Sequence, residues 1–149
     1  MADDALIGRT IGSPVEMVVE RGKIREFARA TMSRNPEYLD DPEPFSEPTF
    51  LTSVSFWGDP SETPIKELGI DLKRLLHGGQ SYTFYGPPPA AGTKLTARSR
   101  VEDIFEKEGK RGGTMKFIVM VQEFRDHLDE LRAEARSTLI VTGQTPEGS

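Results

Sequence analysis

Apolar positions recur along this chain with two different periods, and the change of period divides it. In the first half, Ile24, Phe27, Ala28 and Thr31 fall at i, i+3, i+4 and i+7, with Lys23, Arg25, Glu26 and Arg29 on the opposite side. This spacing predicts an amphipathic helix over Lys23 to Arg34. Asn35-Pro36 stops it, because the residue before a proline is pushed out of the α region. A strand is predicted ahead of the helix, from Val15 to Val19. A proline-studded acidic loop follows from Tyr38 to Pro48, carrying Asp40, Asp41, Glu43 and Glu47. Phe50, Leu51, Val54 and Trp57 are then spaced as a buried helix, although their β-branched and aromatic character also suits a buried strand. Thr63-Pro64 reads as the start of a further short helix and Gly69 as its stop.

From Leu75 the period falls to two. Strands are predicted at Leu75 to Tyr85, Leu95 to Val101, Met115 to Phe124 and Leu131 to Val141. In the last, Leu131, Ala133, Ala135, Ser137, Leu139 and Val141 alternate with Arg132, Glu134, Arg136 and Thr138. Gly86 to Gly92, Gly109 to Gly113 and Asp126 to Glu130 supply the turns. Met115 to Phe124 is apolar on both faces and must be covered on both. The expected class is therefore α+β, a bent antiparallel sheet wrapped around a central helix over residues 1–142. Residues 143–149 are expected to be a disordered tail.

Composition narrows the chemistry. The chain has 149 residues, 36% hydrophobic and 29% charged, which suits one globular domain. It has no cysteine, so disulfides, thiolate nucleophiles and cysteine metal sites are excluded. His77 and His127 are its two histidines, too few for a histidine-rich metal centre, and no metal or cofactor is expected. The net charge of −5 argues against nucleic-acid binding. No apolar run is long enough to span a bilayer. The acidic start, Met1-Ala2-Asp3-Asp4-Ala5, lacks the basic region of a secretory signal, so a cytoplasmic location is expected.

Five segments carry a resemblance. They are Val19-Glu20-Arg21-Gly22-Lys23-Ile24-Arg25-Glu26-Phe27-Ala28, Glu47-Pro48-Thr49-Phe50, Leu75-Leu76-His77-Gly78-Gly79-Gln80, Ala91-Gly92-Thr93-Lys94-Leu95, and Ala135 to Val141. In this order they resemble the N-terminal half of MaoC-like hydratases and dehydratases, a half that also occurs as a free-standing subunit. The resemblance implies a hot-dog fold. It also implies the addition or removal of water at an enoyl or 3-hydroxyacyl thioester carried on CoA or on the phosphopantetheine of an acyl carrier protein.

In that group an Asp and a His in an Asp-x4-His pattern activate the water as general acid and base. Anchored on Asn35-Pro36, those two positions hold Ser33 and Tyr38. Serine is no carboxylate base, and tyrosine, with a pKa near 10, is a poor one. The resemblance therefore implies a subunit that shapes the acyl channel while a MaoC-like partner supplies the dyad. A homodimeric hydratase using His77 or Tyr38 in other roles is the alternative, and a non-catalytic acyl-CoA-binding hot-dog module is a further one. A thioesterase fits less well, because Phe50 to Trp57 contains no acidic residue.

Other candidates follow from residue type. His77, beside Gly78, could act at the thioester or simply end a strand. Lys107, Lys110 and Arg111, with Lys116, surround a glycine-rich turn and could clamp phosphates or stay solvated. Phe50 and Trp57 could line an acyl channel or fill the core. His127, between Asp126 and Asp129, is expected to be a solvated turn residue, with no recognised metal spacing.

Overall fold

A computed structural model describes residues 3–143. The tail expected at 143–149 therefore lies outside the described residues from position 144 on.

Five antiparallel strands form one sheet. They are β1 (Thr10–Val18), β2 (Leu75–Phe84), β3 (Lys94–Glu108), β4 (Thr114–Arg125) and β5 (Leu131–Val141). Their spatial order is β1-β3-β4-β5-β2. The segment between β1 and β2 holds the helices: α1 (Arg21–Ala30), α2 (Pro36–Leu39), a 3-10 helix (Phe50–Phe56), α3 (Pro64–Glu67) and a 3-10 turn (Leu72–Arg74). This is the α+β hot-dog architecture expected from the two periods of the sequence.

Several boundaries move for identifiable reasons. α1 ends at Ala30 and not at Arg34. Met32 turns left-handed at φ 58°, and the Ser33 N–H reaches back to the Ala28 carbonyl at 2.8 Å. Asn35-Pro36 does more than stop a helix. Asn35 Oδ1 accepts from the Glu37 N–H at 3.0 Å, and proline takes the first helical position, so together they start α2. β3 runs to Glu108, well past Val101. A β-bulge between Val101 and Asp103 shifts the alternation by one residue, so Val101 and Ile104 share a face. A strict period of two breaks at that bulge, which is why the sequence pattern ends there.

The inner face of the sheet carries two apolar clusters. The larger joins Leu95, Ala97, Phe124, Ala133 and Ala135 to Ile24 of α1 and to Phe50, Leu51 and Val54 of the 3-10 helix. Phe50 is fully buried and meets the edge of Phe27, ring centroids 5.6 Å apart at 75°. The smaller cluster joins Ile11, Val101, Ile118 and Met120, with Leu68 and Ile70 packed against it.

No helix covers the outer face, and side chains do the work there. Val121 is 1% exposed. Its cross-strand neighbours are Arg100 and Arg136, and both guanidinium groups pair with Glu102, the residue extruded by the bulge. Arginine side chains at such positions can lay their aliphatic stems over a neighbour while the heads stay in water. Towards the β3–β4 turn, Phe105 and Phe117 stack at 5.0 Å, and the Lys107 ammonium lies 5.3 Å from each ring centre.

The edges differ. β1 contains Pro14 and is irregular between Ile11 and Val15. β2 pairs only with β5 and has neither proline nor any Asp, Glu, Lys or Arg in its ten residues. Its outer side offers unpaired backbone groups with no charge to discourage a further strand.

Phe50→Ala is expected to cost about 3–5 kcal/mol, the usual range for a fully buried aromatic truncated to alanine. Urea unfolding followed by tryptophan fluorescence measures it; a loss below about 1 kcal/mol would show that the site collapses without harm.

Candidate functional site

Between the two clusters the inner face opens into a cavity of about 440 Å³. It lies within the size range of small-molecule sites. Leu51, Thr52, Val54 and Ser55 of the 3-10 helix form one wall. Ile11, Gly12, Ser13 and Val15 of β1 form a second, and residues 58–65 form the rim. The sheet supplies the floor. Its apolar part is Tyr82, Ala97, Met120, Ala135 and Leu139, and its polar part is Gln80, Ser99, Gln122 and Ser137.

The cavity exists because the sheet is longer than its cover. Fifteen residues of β3 and twelve of β4 lie beneath a ten-residue α1 and a seven-residue 3-10 helix. A strand rises about 3.3 Å per residue, an α-helix about 1.5 Å and a 3-10 helix about 2.0 Å. The cover therefore cannot span the strands, and a gap stays open where it ends.

The residues at the dyad positions are held away from this gap. Ser33 Oγ accepts from the Asn35 N–H at 3.3 Å and so shapes the link between α1 and α2. Tyr38 is half-buried against the larger cluster. Neither lines the cavity, and no histidine does. His77 is exposed at the start of β2, opposite Leu139, where the register shifts between His77 and Gly79. A Cβ at Gly78 would sit 2.6 Å from Ile140 Cδ1, so a larger residue there would have to displace the Ile140 side chain. His127 is exposed in the β4–β5 turn. That turn is organised by Asp126, whose Oδ1 accepts from the Leu128 and Glu130 N–H groups at 2.9 and 3.1 Å. Among the described residues no group of three acidic or histidine side chains is gathered as a metal site.

Phe50 belongs to the core, and Trp57 packs against it half-buried; their helix faces the cavity through Leu51 and Val54. Lys110 and Arg111 are exposed at the β3–β4 turn, Lys107 lies over the two stacked rings, and Lys116 pairs with Asp3 at 2.9 Å. None of these four lines the cavity.

One acidic residue departs from its expected setting. Glu47 belongs by sequence to the acidic loop, yet it is 5% exposed, and neither carboxyl oxygen has a hydrogen-bond partner. Ser46 and Ser53 Oγ are buried and unpartnered as well. Phe45 bridges to Ala90, and the Ser46 N–H bonds to the Pro89 carbonyl, so this stretch is drawn against the β2–β3 turn. Burial raises the Glu47 carboxyl above the ordinary carboxylate value. No periodicity in a proline-rich loop signals such burial.

With the fold and cavity in place, the comparisons with known proteins agree on one family. The model of the FAS1-like dehydratase domain region matches residues 5–134. The chain belongs to that family. A UPF0336 protein of Streptomyces coelicolor is 35% identical over 115 residues, covering 72% of this chain and 76% of the relative. Among solved structures, the truncated HadBC complex of Mycobacterium tuberculosis, a (3R)-hydroxyacyl-ACP dehydratase, superposes with a TM-score of 0.71 at 24% identity. The match covers 91% of this chain and 96% of that one. A MaoC-like dehydratase superposes at 0.77 with 18% identity over 93% of this chain and 42% of the other. The family and the hot-dog fold implied by the sequence are thus both found. No helix of the described residues is long and apolar enough to cross a membrane.

Glu47 gives a pH prediction. Its folded-state value is raised, so its favourable contribution is complete below the unfolded value of about 4.5 and is lost as pH rises through the folded value. Glu47→Gln keeps the shape of the neutral acid and cannot ionise. The melting temperature of Glu47→Gln relative to the native chain should climb as pH rises above the unfolded value of about 4.5. A difference independent of pH would mean that Glu47 is solvated.

Proposed function

We propose that this chain is the channel-forming subunit of a (3R)-type enoyl-thioester hydratase, or 3-hydroxyacyl-thioester dehydratase, whose acid–base dyad comes from a MaoC-like partner. The carrying observation is the mismatch between a cavity fit for an acyl chain and the side chains around it. The fold offers the cavity, but its walls contain no imidazole, and the dyad positions hold a turn-forming serine and a core-packed tyrosine. General acid–base hydration needs a group within hydrogen-bond reach of the water that it activates. A second subunit is the natural source of that group.

The sheet edge supports the same reading. β2 is bare and uncharged, and it contributes Gln80 and Tyr82 to the cavity floor. A strand added there would extend the sheet and bring another chain beside the cavity mouth. The substrate would be an acyl thioester on CoA or phosphopantetheine, with no metal or further cofactor required for the chemistry. An assembly of two different subunits fits this division of labour better than a homodimer, which would carry two cavities and no dyad.

Crotonyl-CoA hydration tests the proposal. The isolated chain should show none above buffer, whereas the chain co-purified with a hot-dog protein carrying Asp-x4-His should be active. Tyr38→Phe and His77→Ala in this chain should leave the pair's kcat/KM within about twofold, because neither group touches reacting atoms. Hydration by the isolated chain at the rate of the pair would sink the proposal.

A further inference from the structure

The cavity floor has a feature that an aliphatic acyl chain does not need. Ser99 stands opposite Gln122 across β3 and β4, and Gln80 stands opposite Ser137 across β2 and β5. The two pairs are offset by two residues, since Met120 is the partner of Ser137 on β4. The four side chains therefore form a diagonal polar band across four adjacent strands. It runs between the larger apolar cluster and the smaller one, and all four side chains line the same cavity.

Ser99, Gln122 and Ser137 are half-buried and Gln80 is exposed, and none of the four makes a side-chain hydrogen bond to the protein among the described residues. Two amides and two hydroxyls can together donate six hydrogens and accept at several lone pairs. Every one of these groups is uncharged. A plain hydrocarbon laid across them would strip the water that they hold and return no hydrogen bond in exchange. Apolar residues flank the band on both sides: Leu51, Val54 and Ala135 towards one cluster, Ile11, Met120 and Leu139 towards the other. Such a lining matches a chain that is apolar, then oxygenated, then apolar again.

We infer that the acyl group held here carries a hydroxyl or carbonyl oxygen along its chain, away from the thioester, and that Gln122 with Ser99, Ser137 and Gln80 reads it. The inference rests on the acyl-channel reading above and narrows its substrate class from acyl thioesters in general to oxygenated ones. The residues are specificity-determining rather than catalytic, since they would meet the chain and not the reacting carbons.

Calorimetric titration of the purified chain, in the assembly in which it elutes, separates the two levels. The ligands are octanoyl-CoA and a panel of singly hydroxylated octanoyl-CoAs with the hydroxyl moved along the chain. The best hydroxylated member should bind about tenfold more tightly than octanoyl-CoA, the upper end of what one net hydrogen bond contributes. Gln122→Leu should abolish that preference and tighten octanoyl-CoA. Ser99→Ala should reduce it by a smaller factor without disturbing the fold. Equal binding of all members, with Gln122→Leu without effect, would overturn the inference and leave the acyl-channel reading standing. No binding of any member would overturn both.

Discussion

One sheet face has to be covered by less helix than it has length, and most of this molecule follows from that constraint. Three long strands run beneath a short α1 and a shorter 3-10 helix. The 3-10 helix meets the shortage by driving Phe50, Leu51 and Val54 into the sheet. A 3-10 helix of seven residues is long for its type. It persists because tertiary packing, not its own hydrogen bonding, holds it. Between this plug and the smaller cluster, which Leu68 and Ile70 cover, a cavity takes the place of core. Stability and binding space are thus parts of one arrangement: a longer cover would stabilise the sheet and fill the hole.

The same shortage explains the outer face, where no helix lies at all. Two solutions are used side by side. At one end Glu102 draws Arg100 and Arg136 together over Val121. At the other, Lys107 rests above a stacked pair of phenyl rings. Both put a charge at the water boundary and hydrocarbon beneath it. Lys107 is engaged with the rings although it stays exposed, whereas Lys110 and Arg111 lie exposed in the turn itself.

Much of this was legible in the sequence. The switch of period at Leu75 separated helices from sheet, and the alternation of Leu131 to Val141 placed its inner face correctly. The ordered resemblance gave the family. What the sequence hid were features in which one residue breaks a period. The bulge at Glu102 conceals the second half of β3, and left-handed Met32 shortens α1. The site was less legible than the fold. Its polar floor is assembled from four strands, each giving one residue, and no window along the chain shows Ser99, Gln122, Ser137 and Gln80 as neighbours. Glu47 was hidden for the opposite reason, since its local sequence looks like solvent-exposed loop.

The uncharged edge of β2 carries a consequence for supply. A chain with an open, chargeless strand is a half-finished sheet, and its effective stability rises with the concentration of whatever completes it. On the proposed reading, copies made in excess of the partner would expose the unpaired side of this ten-residue strand to one another and to proteases. Production of a subunit of that kind would be self-limiting, with the amount of folded chain set by the stoichiometry of the assembly rather than by its own synthesis.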